Sequence, residues 1–385
     1  MPAASSSFST AASVREAVAE IVSQLHRDAQ GRPIAGGLLQ ASVRYPLDEL
    51  TTALSTALPG VPFIGVTTCQ GLGTDRGIAA GGLSALWLLG EGVRFAFATS
   101  AGSLVRDWGQ RAPGTQRFAV LHATPGDEET LLELVTPALG PDTAFIGGTA
   151  ADDDLSGKWG VFASDGFSTG KGAVLAVVDW PGRVVASMQS TAMVTPQRGL
   201  VTKASGRTLY EIDGKPAAQV YNAWVGGALA RVVREGGNVL NDTSLQPLGV
   251  YRQQRGIGSY VLIHPETFVA ETGAMTTFKR VTVGEELWLM KASRAGFIGR
   301  PAAVVERLLV DARLPAGHLL GAYLIYCAGC RLTVNEGTAL MLAGFRGAIG
   351  HVPFTTGYFF GEQGCSVQGP PEHGNLMTGA LLLGT

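Results

Sequence analysis

The sequence predicts a mixed α/β (α+β) protein of two domains, made of strand–helix–strand units whose mixed sheets are covered by helices and which repeat within the chain. Three observations predict it. The longest apolar runs, around Leu83–Leu89 and Ala173–Val178, are strand-sized and nearly continuous, as in strands covered on both faces. One order of elements recurs three times. Glycine makes up 53 of 385 residues, about twice the usual ~7%, and sits singly or in pairs at segment ends.

Bulk composition narrows the function. Apolar residues are 46% and charged residues 16%, enough to bury a large core. The net charge is −2 with no basic stripe, which argues against a nucleic-acid surface. No run approaches the ~20 residues of a membrane span. No basic segment followed by an apolar one marks a signal peptide. Four cysteines are too few for a disulfide framework, so the cytoplasm is the expected location.

Residues 1–12 read as a loose small-residue tail. Ser13 and Glu16 form a capping box, behind which Val14, Ala17, Val18, Ile21, Val22 and Leu25 share a helical face. A strand over 38–43, a helix opened by Pro46 and a strand over 61–66 make the first unit, followed by a glycine-rich loop and a strand over 84–89. The order returns at 118–122, 128–139, 143–146 and 173–178. It returns again at 322–326, 335–345, 348–350 and 380–383. A shared step marks the second strand: Phe63-Ile-Gly65, Phe145-Ile-Gly147, Ala348-Ile-Gly350. Between the second and third units, 184–191 alternates like a half-exposed strand. Asp213-Gly214 is a tight turn before a helix near Pro216, residues 234–246 read as a linker, and 301–310 read as a helix.

Seven short motifs occur in order: Ile64-Gly-Val-Thr-Thr68, Phe145-Ile-Gly-Gly-Thr-Ala-Ala-Asp-Asp153, Glu211-Ile-Asp-Gly-Lys-Pro-Ala-Ala218, Pro247-Leu-Gly-Val250, Cys327-Ala-Gly-Cys-Arg331, Gly357-Tyr-Phe-Phe-Gly-Glu-Gln363, and His373-Gly-Asn375 with Thr378-Gly379. Together they resemble the FIST domains, N- and C-terminal parts both present. The resemblance divides the chain into residues 1–33 (tail and helix), 34–243 (N-terminal domain) and 244–385 (C-terminal domain). Val66 stands where the family's step has Cys, and Cys330 stands where Arg is common.

The resemblance implies a stand-alone sensory module for a small, amino-acid-like ligand bound at the interdomain rim. It would signal to a separate protein such as a histidine kinase. One branch of the family binds haem to sense nitric oxide and shares the Gly-Glu-Gln and His…Asn…Thr-Gly patterns. This makes haem a possible cofactor, with His373 the candidate iron ligand and His122, His264 and His351 its rivals; otherwise no cofactor is expected.

The candidate ligand set is Arg331, Cys327, Thr355, Thr356, Glu362, His373, Asn375, Thr67, Thr68 and Asp152. Arg331 offers a fork for a carboxylate, against a structural pair with Glu336 or Glu362. The threonine pairs offer hydroxyls beside exposed backbone N–H groups, against ordinary turn capping. Asp152–Asp154 read better as a loop cap than as a cation site, because they lack the alternate spacing of a calcium loop. Glu362 between Gly361 and Gln363 needs a partner, either a ligand amine or Arg331. A minority reading makes the protein an enzyme, with Cys327 as nucleophile, His373 as base and Glu362 as orienter. The Gly166-Phe-Ser-Thr-Gly170 match reads as a hairpin turn and not as a nucleophile elbow.

Overall fold

The computed structural model describes residues 1–254, 257–366 and 369–385. The first repeat runs β1 (Ala3–Ser9), α1 (Val14–Ala29), β2 (Ile34–Ser42), α2 (Leu47–Ala57), β3 (Phe63–Thr68), the hairpin β4 (Leu72–Thr74) and β5 (Gly77–Ala79), then β6 (Leu83–Leu89). The second runs β7 (Arg94–Thr99), α3 (Ser100–Leu104), β8 (Gln116–Ala123), α4 (Glu128–Leu139), β9 (Ala144–Thr149), the hairpin β10 (Val161–Ala163) and β11 (Ser168–Thr169), then β12 (Ala173–Trp180). The third opens with β13 (Val184–Gln189) and is then interrupted. The inserted unit comprises β14 (Met193–Ser205), β15 (Thr208–Ile212), β16 (Lys215–Pro216), α5 (Ala217–Trp224), α6 (Ala230–Glu235), β17 (Gly237–Asn238), α7 (Leu240–Thr243), β18 (Leu248–Gln254), β19 (Ile257–Ile263), β20 (Pro265–Val269), β21 (Ala274–Thr277) and β22 (Glu286–Lys291). The third repeat resumes with α8 (Arg294–Ala312), β23 (Leu319–Cys327), α9 (Ala328–Val334), α10 (Thr338–Ile349), β24 (Phe354–Phe359), the hairpin β25 (Glu362–Gly364) and β26 (Glu372–Gly374), and β27 (Thr378–Gly384).

The three sheets of the repeats have one topology: β1-β6-β2-β3-β10-β11, β7-β12-β8-β9-β25-β26 and β13-β27-β23-β24-β4-β5. In each, the two strands of the βαβ unit are parallel, as its crossover helix dictates. Each sheet is completed by the hairpin of another repeat. The first receives the second's, the second receives the third's, and the third receives the first's. The exchange is cyclic, so the repeats form a closed pseudo-threefold body. Its interior core draws on all three, with Leu38, Val66 and Leu86 meeting Val120, Ile146 and Val174, and Tyr323, Ile325 and Leu381. The insertion forms its own nine-stranded sheet with a separate core around Leu209, Tyr221, Phe268 and Leu287.

Several expectations are corrected. Residues 3–9 are no loose tail: β1 pairs with β6, and its serines are buried because each hydroxyl has a partner. Ser5 and Ser9 donate to Asp28 and Glu20 at 2.8 and 2.6 Å, and Ser7 accepts from the Trp87 indole at 3.0 Å. Residues 234–246 are not a linker but α6, β17 and α7 of the insertion, and the boundary placed at 243/244 falls inside that unit. Helix α8 begins before Pro301, because the Ser293 hydroxyl caps it by accepting from Gly296 N. The Phe297 carbonyl, which Pro301 cannot engage, accepts instead from the Tyr326 hydroxyl at 2.9 Å.

The third second strand is also misplaced in the sequence reading. Ala348–Gly350 is the end and cap of α10, and the strand is β24. Register places Phe354-Thr355-Thr356 where the other repeats have Phe63-Ile-Gly65 and Phe145-Ile-Gly147. The facing hairpin residue compensates in size. Gly65 faces Phe162 and Gly147 faces Gln363, whereas Thr356 faces Gly73. A Cβ on Gly65 would lie 2.1 Å from the Phe162 ring, so each pair holds one large residue only.

Two buried histidines brace the interior. His122 bonds the Gly148 carbonyl and the Tyr323 hydroxyl, each at 2.9 Å, and His264 bonds the Leu240 carbonyl at 3.0 Å. Burial lowers both to about 4 from 6.5, so both are neutral in the fold. A depressed histidine contributes stability above its unfolded value and loses it as pH falls. Unfolding free energy should therefore drop between pH 6.5 and about 4, on the order of 3 kcal/mol per histidine. Denaturant midpoints across that window check this, and a flat profile contradicts it.

Candidate functional site

The same register isolates one position. Leu72, Val161 and Glu362 open the three exchanged hairpins and are equivalent, each following a glycine (Gly71, Gly160, Gly361). All three are buried. The fold thus accepts an aliphatic residue at this place twice and holds a carboxyl there once.

Glu362 is one of several buried residues whose polar atoms lack partners. Its Oε2 accepts from Met377 N at 2.9 Å, while Oε1 has no partner. The Thr356 and Tyr358 hydroxyls, Arg331 Nε, Thr378 Oγ1 and Gln363 Oε1 are also buried and unpaired. Folded proteins leave few such groups, and each calls for a ligand or ordered water beside it. Cys327 stands among them at the end of β23, its sulfur accepting from Leu376 N at 3.3 Å. Four residues on, Arg331 of α9 places its guanidinium 5.6 Å from the centre of the Tyr358 ring. Thr356 and Tyr358 lie on one face of β24, two residues apart. Cys69, whose N–H donates to the Tyr358 carbonyl at 2.9 Å, completes the wall.

Burial dominates the electrostatics. It pushes the Cys69 thiol up to about 12, helped by Asp153 and Asp152. It pushes the Tyr358 phenol up to about 12 against the pull of Arg331. It holds Glu362 well above the usual carboxylate range, with Cys327 adding to the rise. Cys327 is likewise raised by burial and by neighbouring Cys330. Its thiol is therefore protonated near neutral pH.

The sequence-derived set divides. Cys327 adjoins Glu362, and Cys327 and Arg331 both act on Cys69, whereas Thr356 faces Gly73 near Leu342 of α10. Thr355 faces the opposite way, sharing Gln40 Oε1 at 3.2 Å and the Ser84 hydroxyl at 2.9 Å inside the body. Thr67 accepts from Gly160 N at 2.9 Å, tying β3 to the second repeat's hairpin, and Thr68 donates to the Gly71 carbonyl at 3.1 Å, capping its own turn. Asp152 caps its own loop, accepting from Leu155 N and Lys158 N at 2.7 and 2.9 Å. Asp153 ties that loop to Gln70 N at 2.6 Å.

His373 and Asn375 sit behind Glu362 and connect to the insertion. His373 Nε2 lies 3.0 Å from the Phe278 carbonyl and Nδ1 lies 3.2 Å from the Gln363 amide. Asn375 Oδ1 accepts from His264 N at 3.2 Å, and Asn375 N donates to the Leu262 carbonyl at 3.0 Å. Sequence reasoning missed Tyr358, Cys69, Gln363 and Thr378. Strand alternation from Thr356 was the available signal for Tyr358.

Haem does not fit at His373. Both ring nitrogens are committed to protein partners, the side chain is buried, and a Cβ on Gly361 would lie 2.3 Å from its Cε1, so neither a free lone pair nor space remains for iron. His122 is committed in the same way. No cluster of three metal-ligating side chains occurs among the described residues. The cysteine-enzyme arrangement is not formed either, because His373 spends its nitrogens on Phe278 and Gln363 while Cys327 stands beside Glu362. Two wider clefts lie elsewhere. One of about 1220 Å³ runs between Leu139, Val184, Tyr260 and Leu308, and one of about 450 Å³ lies beside Phe95 and Phe97. None of the partnerless atoms belongs to a residue lining either.

These features define a pseudo-threefold α/β body with one polar junction and one inserted sheet. The family model described as FIST N domain matches residues 35–215, and that described as FIST C domain matches 217–365. The chain belongs to the FIST family, whose domains are recognised as sensory modules of signal transduction. No curated protein matches it. Among solved structures it is similar to one titled "Cyanuric acid hydrolase: evolutionary innovation by structural concatenation", with TM-score 0.37 and 9% identity over 100% of both chains. No helix among the described residues is long and apolar enough to cross a membrane.

Proposed function

We propose that the chain is a non-enzymatic, cytoplasmic sensor that binds a small amino-acid-like ligand in the junction between Arg331 and Glu362. It reports occupancy to a separate signalling protein such as a histidine kinase, and it needs no cofactor. The observation that carries this is a pair of buried, partnerless atoms of opposite charge, Arg331 Nε and Glu362 Oε1, linked through Cys327, which acts on Glu362 and shares Cys69 with Arg331. A ligand carboxylate suits the guanidinium and a ligand amine suits the carboxyl. The groups are sequestered, so entry requires the 150–160 loop to lift from Gln70.

A route to the insertion supports the sensory reading. Residues 373–377 touch the site through Met377 N on Glu362 and Leu376 N on Cys327, and they touch the inserted sheet through Asn375 and His373. Leu376 holds φ at 53°, a left-handed conformation costly for a leucine, and its carbonyl accepts from the Arg300 guanidinium. A shift of Glu362 on binding displaces this segment and with it the insertion.

Thermal melts with each proteinogenic amino acid test the proposal. At least one should raise the melting temperature of the wild type and not of Arg331→Met. If none does, or if the variant responds equally, the reading fails.

A further inference from the structure

Glu362 departs from its two equivalents in a way the fold does not require. Leu72 and Val161 fill the same position, preceded by the same glycine and fully buried. The carboxyl has one backbone donor, Met377 N, and one unpaired oxygen. The titratable or charged groups facing it are Cys327 from β23 and Arg300 from α8. Its β9 and β26 neighbours in register are Gly148 and Gly374. Arg300 spends its guanidinium on the Leu376 carbonyl and the Thr191 hydroxyl, and it forms no ion pair with Glu362 among the described residues. Arg331 forms none either. Burial with no ion pair favours the protonated form of this carboxyl, the more distant Arg300 opposing it.

We propose that Glu362 is the specificity-determining residue of the junction, admitting ligands that carry an ammonium group and surrendering its proton to solvent as each one binds. This rests on the reading of the junction as a ligand site and adds its selectivity. The balance is simple: the carboxyl O–H bond breaks, the proton leaves to water, and the carboxylate pairs with the ligand ammonium, which keeps all of its own protons. A ligand that offers only an anion gives Glu362 no cation to pair with, so the carboxyl keeps its proton in that ligand's presence. A ligand whose amine is acylated has no cation with which to displace the proton. The junction therefore becomes more receptive as pH rises, because expelling a proton costs less.

Infrared difference spectroscopy of the full chain tests this. The wild type at neutral pH should show a protonated-carboxyl band that Glu362→Gln lacks. Glycine and glycinamide, which both carry the ammonium, should diminish the band, and N-acetylglycine should leave it intact. The inference is overturned if the wild type has no such band, if N-acetylglycine erodes it, or if neither ammonium probe does. The two proposals fail separately. Erosion by glycinamide without any melting response to amino acids removes the amino-acid reading and leaves Glu362 as a cation selector. An amino acid that stabilises the protein through Arg331 without touching the band does the reverse. Circular dichroism of Glu362→Gln, expected to match the wild type, guards against loss of fold.

Discussion

Replacing Arg207 with alanine should destabilise the protein by about 3 kcal/mol and loosen the insertion from the repeats. Arg207 follows β14 and reaches across to α4 of the second repeat. It ion-pairs with Glu128 and, at 2.7 Å, with Glu129, both at the start of that helix. Glu128 is buried and Glu129 partly so, with side chains 2% and 11% exposed, so removing Arg207 takes away the cation that both carboxylates pair with in low dielectric. Glu128 also accepts from Thr149 Oγ1 at 3.0 Å, and Thr149 in turn accepts from Gln363 at 2.7 Å, next to Glu362. The loss therefore spreads toward the junction. Denaturant titration should show the lower midpoint, and hydrogen exchange should show β14 and β21 losing protection before β8 and β9. A variant as stable as the wild type would mean the insertion is held by other contacts.

Replacing Glu362 with leucine should do the opposite to stability while removing function. Leu72 shows that leucine fits the equivalent position, fully buried behind a glycine. Exchanging a half-satisfied buried carboxyl for an aliphatic group of similar size should raise the unfolding free energy by about 1–3 kcal/mol. The same variant should show no melting response to any amino acid. A gain in stability with loss of binding is the signature of a residue kept for its chemistry and not for the fold. A destabilised Glu362→Leu would mean that the hydrogen bond to Met377 N is structural, and the comparison among repeats would lose its force.

The sequence made the repetition legible and blurred its third copy for a physical reason. Phe63-Ile-Gly65 and Phe145-Ile-Gly147 are equivalent strand segments, but their partner in the third repeat is Phe354-Thr355-Thr356. There Gly73 on the facing hairpin leaves room for a side chain. The change that turns this strand polar also removes the motif by which it would be recognised. Ala348-Ile-Gly350 matches by composition only, as a helix end closed by a glycine with φ of 74°.

The cyclic exchange of hairpins could not be read from order alone, since each hairpin pairs outside its own repeat. The serines of β1 concealed a buried strand because their partners, Asp28, Glu20 and Trp87, are distant in sequence. Arg331, Cys327 and Glu362 were legible as candidates because their residue types follow or open strands, whereas Thr356, expected after a strand, lies within β24. Thr67, Thr68 and Asp152 have the same types and serve the fold, a distinction set by which backbone N–H groups lie within reach.

A ligand should bind at the junction that holds Arg331, Cys327 and Glu362. The direct measurement is a crystal structure grown with the amino acid that most raises the melting temperature. The account predicts density between Arg331 and Glu362, with Tyr358 gaining a partner. Density in the cleft between Val184 and Leu308, or a structure in which Arg331 and Glu362 remain unpaired while the ligand sits elsewhere, would contradict it.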